Sequence, residues 1–166
     1  NIEKPVIAAV NGVAAGAGAN IALACDIVIA KRSASFIQAF SKIGLIPDSG
    51  GTYFLPRLIG MQKALALMMT GDKVSATDAE AMNMIYRAVE DDEFDQFVMN
   101  FATNISKMPT KGLGLTKRAV NKAMSNDLVT QLALEEELQT EAGSTYDFRE
   151  GVNAFMEKRQ PEFKGE

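Results

Sequence analysis

Short apolar runs separated by small residues fill the first part of the chain. Residues 5–10 (PVIAAV) precede an Asn-Gly pair, a pattern that predicts a buried strand ending in a turn. Residues 19–25 are small or apolar and predict a helix packed closely on that strand. A second buried strand is predicted over residues 26–30 and a third extended piece over residues 33–36. A strand, a helix and a strand in this order are typical of a parallel crossover unit.

The pattern becomes mainly helical after residue 47. Residues 47–52 (PDSGGT) combine turn formers with capping side chains, so a helix is expected to begin close to Asp48 or Ser49. A strand is predicted over residues 85–89, before an acidic turn at residues 90–93. Helices are predicted over residues 61–70, 76–82 (capped by Ser75), 94–108, 113–125, 128–142 and 146–158. The acidic turn is interpreted as separating an α/β part, residues 1–90, from a helical part, residues 91–166.

Composition and charge narrow the possible chemistry. The net charge of −4 offers no attraction for phosphate backbones, so no nucleic-acid partner is expected. The absence of histidine excludes Ser-His-Asp triads and most zinc sites, so no metal is expected and a general base must be Asp, Glu, Lys or Tyr. No apolar stretch reaches the roughly 20 residues that span a bilayer, and the first residues do not resemble a signal peptide. The chain is therefore predicted to be cytoplasmic, without a membrane partner.

Two segments carry candidate chemistry. Gly16, Ala17 and Gly18 stand where a strand gives way to a helix, so their backbone N–H groups can face an oxyanion without side-chain obstruction. Small residues also permit close helix–strand packing, and both explanations remain open. Asp48 lies beside apolar residues and a glycine pair, which fits either a helix cap or a functional carboxylate. Its apolar neighbours are expected to withdraw the carboxylate partly from water.

The order of these segments resembles the signature of one protein family. Residues 4–12 (KPVIAAVNG), 15–18 (AGAG) and 24–27 (ACDI) resemble the first signature block of the enoyl-CoA hydratase/isomerase, or crotonase, superfamily. Residues 36–60, with GGT at 50–52 and LPR at 55–57, resemble the second block. The likeness continues through residues 150–164. It implies an α/β fold of the ClpP/crotonase-like type, in which parallel strands and crossing helices precede a C-terminal helical oligomerisation region.

The resemblance assigns roles to residues of the glycine-rich loop and its surroundings. It implies that Ala17 donates its backbone N–H to the thioester oxygen of an acyl-CoA substrate, with Gly16 and Gly18 in the same loop. Hydratases of the family carry glutamates where this chain has Asn20 and Phe40. Neither of these side chains can activate water or deliver a proton, so they are expected to line the substrate site without replacing the hydratase acids.

Three further positions complete the expected site. Asp48 matches a position where some isomerases and dehalogenases of the family carry an acid, and the pattern around it is most similar to ring-1,2-epoxyphenylacetyl-CoA isomerases of phenylacetate degradation. Asp48 is therefore expected to be the catalytic base. Phe163 and Lys164 are expected, by resemblance, to meet the nucleotide end of CoA. The alternative for these two residues is a frayed, solvated tail.

The expected activity is acyl-CoA isomerisation by a one-base 1,3-proton transfer, which shifts a double bond or opens a ring epoxide. The alternatives are an enoyl-CoA hydratase and a non-catalytic, truncated assembly subunit. The resemblance implies homo-trimers or hexamers and no cofactor, because coenzyme A is part of the substrate. It also implies that a segment before Asn1 supplies another oxyanion donor, so this chain alone is expected to be inactive.

Overall fold

The structure is a computed structural model that describes residues 2–166. Asn1, where the expected preceding segment would join, lies outside the described residues. The strands are β1 Ile7–Val10, β2 Val13–Ala15, β3 Ile27–Lys31, β4 Ser35–Ile37, β5 Lys73–Ser75 and β6 Arg87–Val89. The α-helices are α1 Ala17–Leu23, α2 Gly51–Ile59, α3 Met61–Thr70, α4 Ala76–Ala81, α5 Phe94–Ser106, α6 Thr110–Ala123, α7 Leu128–Gly143 and α8 Tyr146–Glu157. A 3-10 helix covers Ala39–Ile43.

The chain divides into two compact units. One unit is Val6–Asn100, and the other combines the residues up to Pro5 with Phe101–Glu166. The change from one unit to the other therefore falls inside α5. The role of the helical region in oligomerisation stays a prediction.

Two small sheets organise the unit Val6–Asn100. In one sheet β3 lies between β1 and β6, and both pairings are parallel. The predicted strand–helix–strand crossover is confirmed, since β1 and β3 pair in parallel with α1 between them in the chain. In the other sheet β4 lies between β2, in parallel, and β5, which is antiparallel. The strands β2 and β5 were not expected, because their three residues are too few to show a period of two and lie outside the longer runs that predicted the equally short β4 and β6.

The apolar core of this unit forms around β4 and α2. Phe36 in β4 and Leu55 in α2 are almost fully buried, with Val28 of β3 in the same cluster. The predicted cap of α4 is confirmed, because the Ser75 hydroxyl accepts a hydrogen bond from Asp78 N at 3.1 Å. A rigid core directly beneath the first turns of α2 gives the loop before that helix a fixed base.

The second unit consists of helices, as predicted; α6 and α8 are amphipathic, whereas the apolar residues of α7 do not gather on one face. Leu115 of α6, Leu138 of α7 and Ala154 of α8 are buried apolar side chains of this unit. The side chains of Asp127 and Thr145 cap α7 and α8, respectively. Each accepts a hydrogen bond from a backbone N–H group, at 2.7 Å and 3.1 Å. None of the helices within residues 2–166 combines the length and apolarity that crossing a membrane requires.

Candidate active site

Asp48 lies on an exposed turn immediately before α2. The helix begins at Gly51 rather than at Asp48 or Ser49, and its N-cap is Gly50, which has φ 80° and ψ 7° and provides no side-chain cap. The Asp48 main-chain oxygen accepts a hydrogen bond from Gly51 N at 2.8 Å and closes the turn. The interpretation of Asp48 as a helix cap is therefore wrong, and its carboxylate has no recorded hydrogen bond or ion pair to any residue within 2–166.

The expected desolvation of Asp48 is also wrong for the described residues. Asp48 is exposed, and its apolar neighbour Ile46 is 81% exposed, so neither side chain shields the other. Phe40, an apolar residue of the expected substrate site, is itself buried at 7% exposure. The apolar neighbours in sequence do not bury this carboxylate, because Ile46 is itself exposed and Pro47 is only half-buried.

Two buried side-chain amides, those of Asn20 and Gln38, support the turn that bears Asp48. Asn20 of α1 is completely buried, and its Nδ2 donates to the Asp48 main-chain oxygen at 2.9 Å. Asn20 Oδ1 accepts a hydrogen bond from Gln38 Nε2 at 2.8 Å, and Gln38 is only 2% exposed. The structure therefore brings the predicted residues Asn20 and Asp48 together through the main chain of Asp48, with Gln38 behind them.

Gly51 makes this contact possible because it has no side chain. A Cβ at position 51 would lie 2.6 Å from Asn20 Cγ, closer than real carbon atoms approach. The close approach of the first turn of α2 to the Asn20 amide therefore depends on glycine at this position.

The glycine-rich loop forms the start of α1. Gly16 is the N-cap with φ 54°, a left-handed conformation that glycine adopts readily, and its N–H donates to Ile37 O at 2.9 Å. Ala17 is half-buried and Gly18 is exposed. As the first residue of the helix, Ala17 has an N–H with no intrahelical acceptor, which leaves it available to an oxygen atom. Phe40 packs against the loop, since a Cβ on Gly16 would lie 3.6 Å from its ring.

Phe163 and Lys164 lie in the other unit, on a tail that folds back onto α8. The carboxylate of Asp147, which is 2% exposed, accepts hydrogen bonds from Lys164 N at 2.7 Å and Gly165 N at 2.8 Å. Phe163 lines an open groove of about 600 Å³ and packs on Gly151 of the helix. The alternative of a frayed tail is therefore wrong, because its backbone is hydrogen-bonded to buried side chains.

A second buried carboxylate strengthens this attachment. The Glu150 carboxylate accepts two hydrogen bonds from Arg159, at 2.5 Å and 2.9 Å. It also accepts a hydrogen bond from the backbone N–H of Glu162 at 2.8 Å. The Arg159 guanidinium, followed by the Glu162 N–H, lowers the pKa of Glu150 to about 2 from its ordinary 4.5. Glu150 itself is 8% exposed, so the ion pair is shielded on the carboxylate side.

The attachment of the tail is expected to weaken in acid. A carboxylate whose pKa is lowered on folding stabilises the fold above its unfolded pKa, and this stabilisation is lost as the pH falls from about 4.5 to about 2. Glu150→Gln should therefore lower the free energy of unfolding at pH 7 and flatten its dependence on pH across that range. Unfolding monitored by circular dichroism measures both effects. Glu136→Gln, on an exposed part of α7, is the matched control; an equal effect of both substitutions would contradict the prediction.

Sequence reasoning missed Gln38, Asp147 and Glu150. The signal for Gln38 was a lone amide inside the apolar stretch FIQAF, at residues 36–40. Asp147 and Glu150 are three residues apart on α8 and so share one face of the helix. That face covers the tail, but nothing in the spacing identified which backbone groups they would bind.

Comparisons with known proteins agree with the fold described above. The family model described as enoyl-CoA hydratase/isomerase matches residues 1–166. The chain is 52% identical over 164 residues to a 1,2-epoxyphenylacetyl-CoA isomerase of Escherichia coli (strain K12), covering 99% of this chain and 63% of that protein. It is 50% identical over 161 residues to a probable enoyl-CoA hydratase of Rhodobacter capsulatus, covering 97% of this chain and 63% of that protein.

A solved structure supports the same assignment. The crystal structure of an enoyl-CoA hydratase from Bacillus anthracis superimposes with a TM-score of 0.96 at 37% identity, covering 100% of this chain and 64% of that one. The chain thus spans less than two thirds of the length of these relatives. On the full-length match to the family model and the shared crotonase fold, the chain belongs to the enoyl-CoA hydratase/isomerase family.

Proposed function

We propose that the protein containing this chain is an acyl-CoA isomerase in which Asp48 is the only acid–base group. The observation that carries the proposal is the exposed Asp48 carboxylate on a turn fixed by Asn20. The two positions where the resemblance places the glutamates of hydratases hold Asn20 and Phe40, which cannot act as general acids or bases. The named activity of the Escherichia coli relative, an isomerase, supports the same choice.

The proposed reaction needs one base and one oxyanion donor from this chain. Asp48 removes a proton from the carbon beside the thioester, and the electron pair moves onto the thioester oxygen. The Ala17 N–H stabilises this enolate oxygen, and loss of one such donor typically costs about 3–4 kcal/mol. Protonated Asp48 then returns the proton two carbons further along the conjugated system, so that one carboxylate serves both steps.

The proposed substrates are acyl-CoA thioesters with an unsaturated or epoxidised acyl group. A 3-enoyl thioester would move to the 2-enoyl form, and a ring epoxide of phenylacetyl-CoA would open to an oxepin. Enoyl-CoA hydration is the second candidate, favoured by the name of the Rhodobacter capsulatus relative. Asn20 and Phe40 count against it, because hydration needs groups that activate water and deliver a proton.

Incubation in deuterium oxide separates the two candidates. The protein as its gene encodes it is mixed with a 3-enoyl-CoA, and the products are analysed by mass spectrometry. An isomerase gives 2-enoyl-CoA that carries deuterium at the carbon to which Asp48 returns the proton, and reversal of the first step exchanges deuterium beside the thioester of the remaining substrate. Accumulation of 3-hydroxyacyl-CoA at a comparable rate would identify a hydratase, and the absence of both products would favour the non-catalytic assembly subunit.

We also propose that Phe163 and Lys164 meet the nucleotide end of CoA. Lys164 Nζ lies 4.1 Å from the centre of the Tyr146 ring and is exposed, so its charge can reach a phosphate. Lys164→Ala should weaken CoA binding severalfold at low ionic strength and less at high ionic strength. Titration calorimetry measures this, with exposed Lys158→Ala as control; equal affinity of Lys164→Ala and wild type at both ionic strengths would exclude the contact.

Self-association of the protein remains a proposal. Apolar side chains on α7 and α8 are strongly exposed in the chain, among them Val129 at 79% and Phe155 at 82%. Exposed apolar groups of this kind are typical of interaction surfaces. A trimer or a hexamer is expected, and light scattering that gives the mass of a monomer at high micromolar concentration would contradict it.

A further inference from the structure

We infer that Asn20 and Gln38 are positioning residues that set the place of Asp48 relative to the Ala17 N–H, an inference that rests on the proposed function. Asn20 was expected to line the substrate site. Its complete burial, with both ends of the amide bonded inside the protein, assigns it instead to the support of the turn.

The Asp48 main-chain oxygen dictates the orientation of both amides. A carbonyl oxygen can only accept hydrogen bonds, so Asn20 must present Nδ2 to it. Asn20 Oδ1 then faces Gln38, which must present Nε2. Gln38 Oε1 is consequently left buried without a hydrogen-bond partner among residues 2–166. An orphaned buried oxygen is unfavourable, and here it results from satisfying the contact at Asp48.

Helix α1 carries both the proposed oxyanion donor, Ala17, and the residue that holds the turn of the base, Asn20. Asn20 lies three residues after Ala17 in α1, and Asn20 N donates to Gly16 O at 3.2 Å in the first turn. The hydrogen bond from Asn20 Nδ2 to Asp48 therefore connects the turn that bears the base to the helix turn that bears the oxyanion donor. Errors of about 1 Å in such a geometry can reduce a rate about 10²-fold.

A carboxylate at position 20 would break this connection. It has no proton to donate at neutral pH, so an acceptor would face the Asp48 carbonyl oxygen inside a buried site. Asn20→Asp keeps the shape of the side chain and the acceptor for Gln38 while it removes the donor to Asp48. Asn100→Asp is the matched control. Asn100 Oδ1 also accepts a hydrogen bond from a glutamine amide, that of Gln96 at 2.8 Å, but Asn100 is exposed on α5.

The test is a double-mutant cycle on the protein as its gene encodes it, with Asn20→Asp, Asp48→Asn and both together. Rates of α-deuterium exchange and isomerisation are measured with a 3-enoyl-CoA. Asn20→Asp should lower kcat about tenfold or more with KM nearly unchanged, and Asn100→Asp should leave both constants at the wild-type values. In the Asp48→Asn background, Asn20→Asp should have almost no further effect, because the placement of an absent base is irrelevant.

The outcomes distinguish this inference from the proposed function. If Asp48→Asn is slow and Asn20→Asp has the wild-type kcat, the positioning role is wrong and the one-base mechanism stands. Losses that simply multiply in the double variant, or a raised KM with unchanged kcat, would also overturn the positioning role. If Asp48→Asn turns over at the wild-type rate, the proposed function itself fails. Melting temperatures of all variants separate unfolding from lost positioning.

Discussion

Replacing Asp48 with asparagine is expected to slow isomerisation by about 10²-fold or more. The amide has the shape of the carboxylate but cannot take the proton beside the thioester. Stability should change little, since the Asp48 side chain is exposed and no hydrogen bond to its carboxylate is recorded within residues 2–166. The hydrogen bond from Asn20 should persist, because its acceptor is the main chain. The measurement is kcat together with solvent-deuterium exchange into the carbon beside the thioester.

Asp92→Asn is the matched control, an exposed aspartate in the acidic turn of the same unit. It changes the net charge by the same amount and should leave the rate unaltered. The double variant, Asp48→Asn with Asn20→Asp, should stay slow because a carboxylate at position 20 is buried and faces the main-chain oxygen of residue 48. An Asp48→Asn enzyme that exchanges deuterium as fast as wild type would remove Asp48 from the mechanism.

Adding one methyl group at Gly51 is expected to damage both stability and activity. The new Cβ of Gly51→Ala would press on the Asn20 amide, which is buried and bonded on both sides. Overpacking of this kind costs about 1–3 kcal/mol, of which the better helix propensity of alanine returns at most about 1 kcal/mol. Displacement of the Asp48 turn should lower kcat about tenfold or more. Thermal unfolding and isomerase kinetics measure the two effects separately.

Gly12→Ala provides the comparison, because a Cβ at Gly12 meets nothing within 4 Å. Its stability should lie within about 1 kcal/mol of wild type and its kcat should be unchanged. A Gly51→Ala protein as stable and as active as Gly12→Ala would show that the Asn20 amide has room to move. The turn would then tolerate more displacement than the close contact indicates.

Local patterns predicted most of the fold because most of its elements are long enough to show a period. The helix α3 was predicted with its observed bounds, and the cap at Ser75 was found from residue type alone. The strands β2 and β5 were missed because, unlike the equally short β4 and β6, they lie outside the predicted runs and are identified only by their partners in the sheet. The start of α2 was placed too early, because a left-handed Gly50 can end a turn without any capping side chain.

The candidate site was predictable in its residues but not in its contacts. Asp48 and Ala17 stood out through the glycines beside them and through the family resemblance. The bond from Asn20 to Asp48 joins residues 28 positions apart, and its acceptor is a main-chain oxygen that every residue type has. A pattern of side chains cannot predict which main-chain oxygen accepts this hydrogen bond. The exposure of Asp48 was misjudged for a related reason, since burial depends on the path of the turn and not on its neighbours in sequence.

Attachment through the main chain of Asp48 also makes position 48 interchangeable. The turn is held by an oxygen that survives any substitution at this position, whereas positions 20, 38 and 51 are constrained by donors, acceptors and close packing. The scaffold is therefore separable from the reactive group that it presents. A glutamate, a cysteine or a glycine at position 48 would be held in the same turn by the same main-chain hydrogen bond. Substitution at this one position can therefore change the reactive group while the backbone of the turn stays the same.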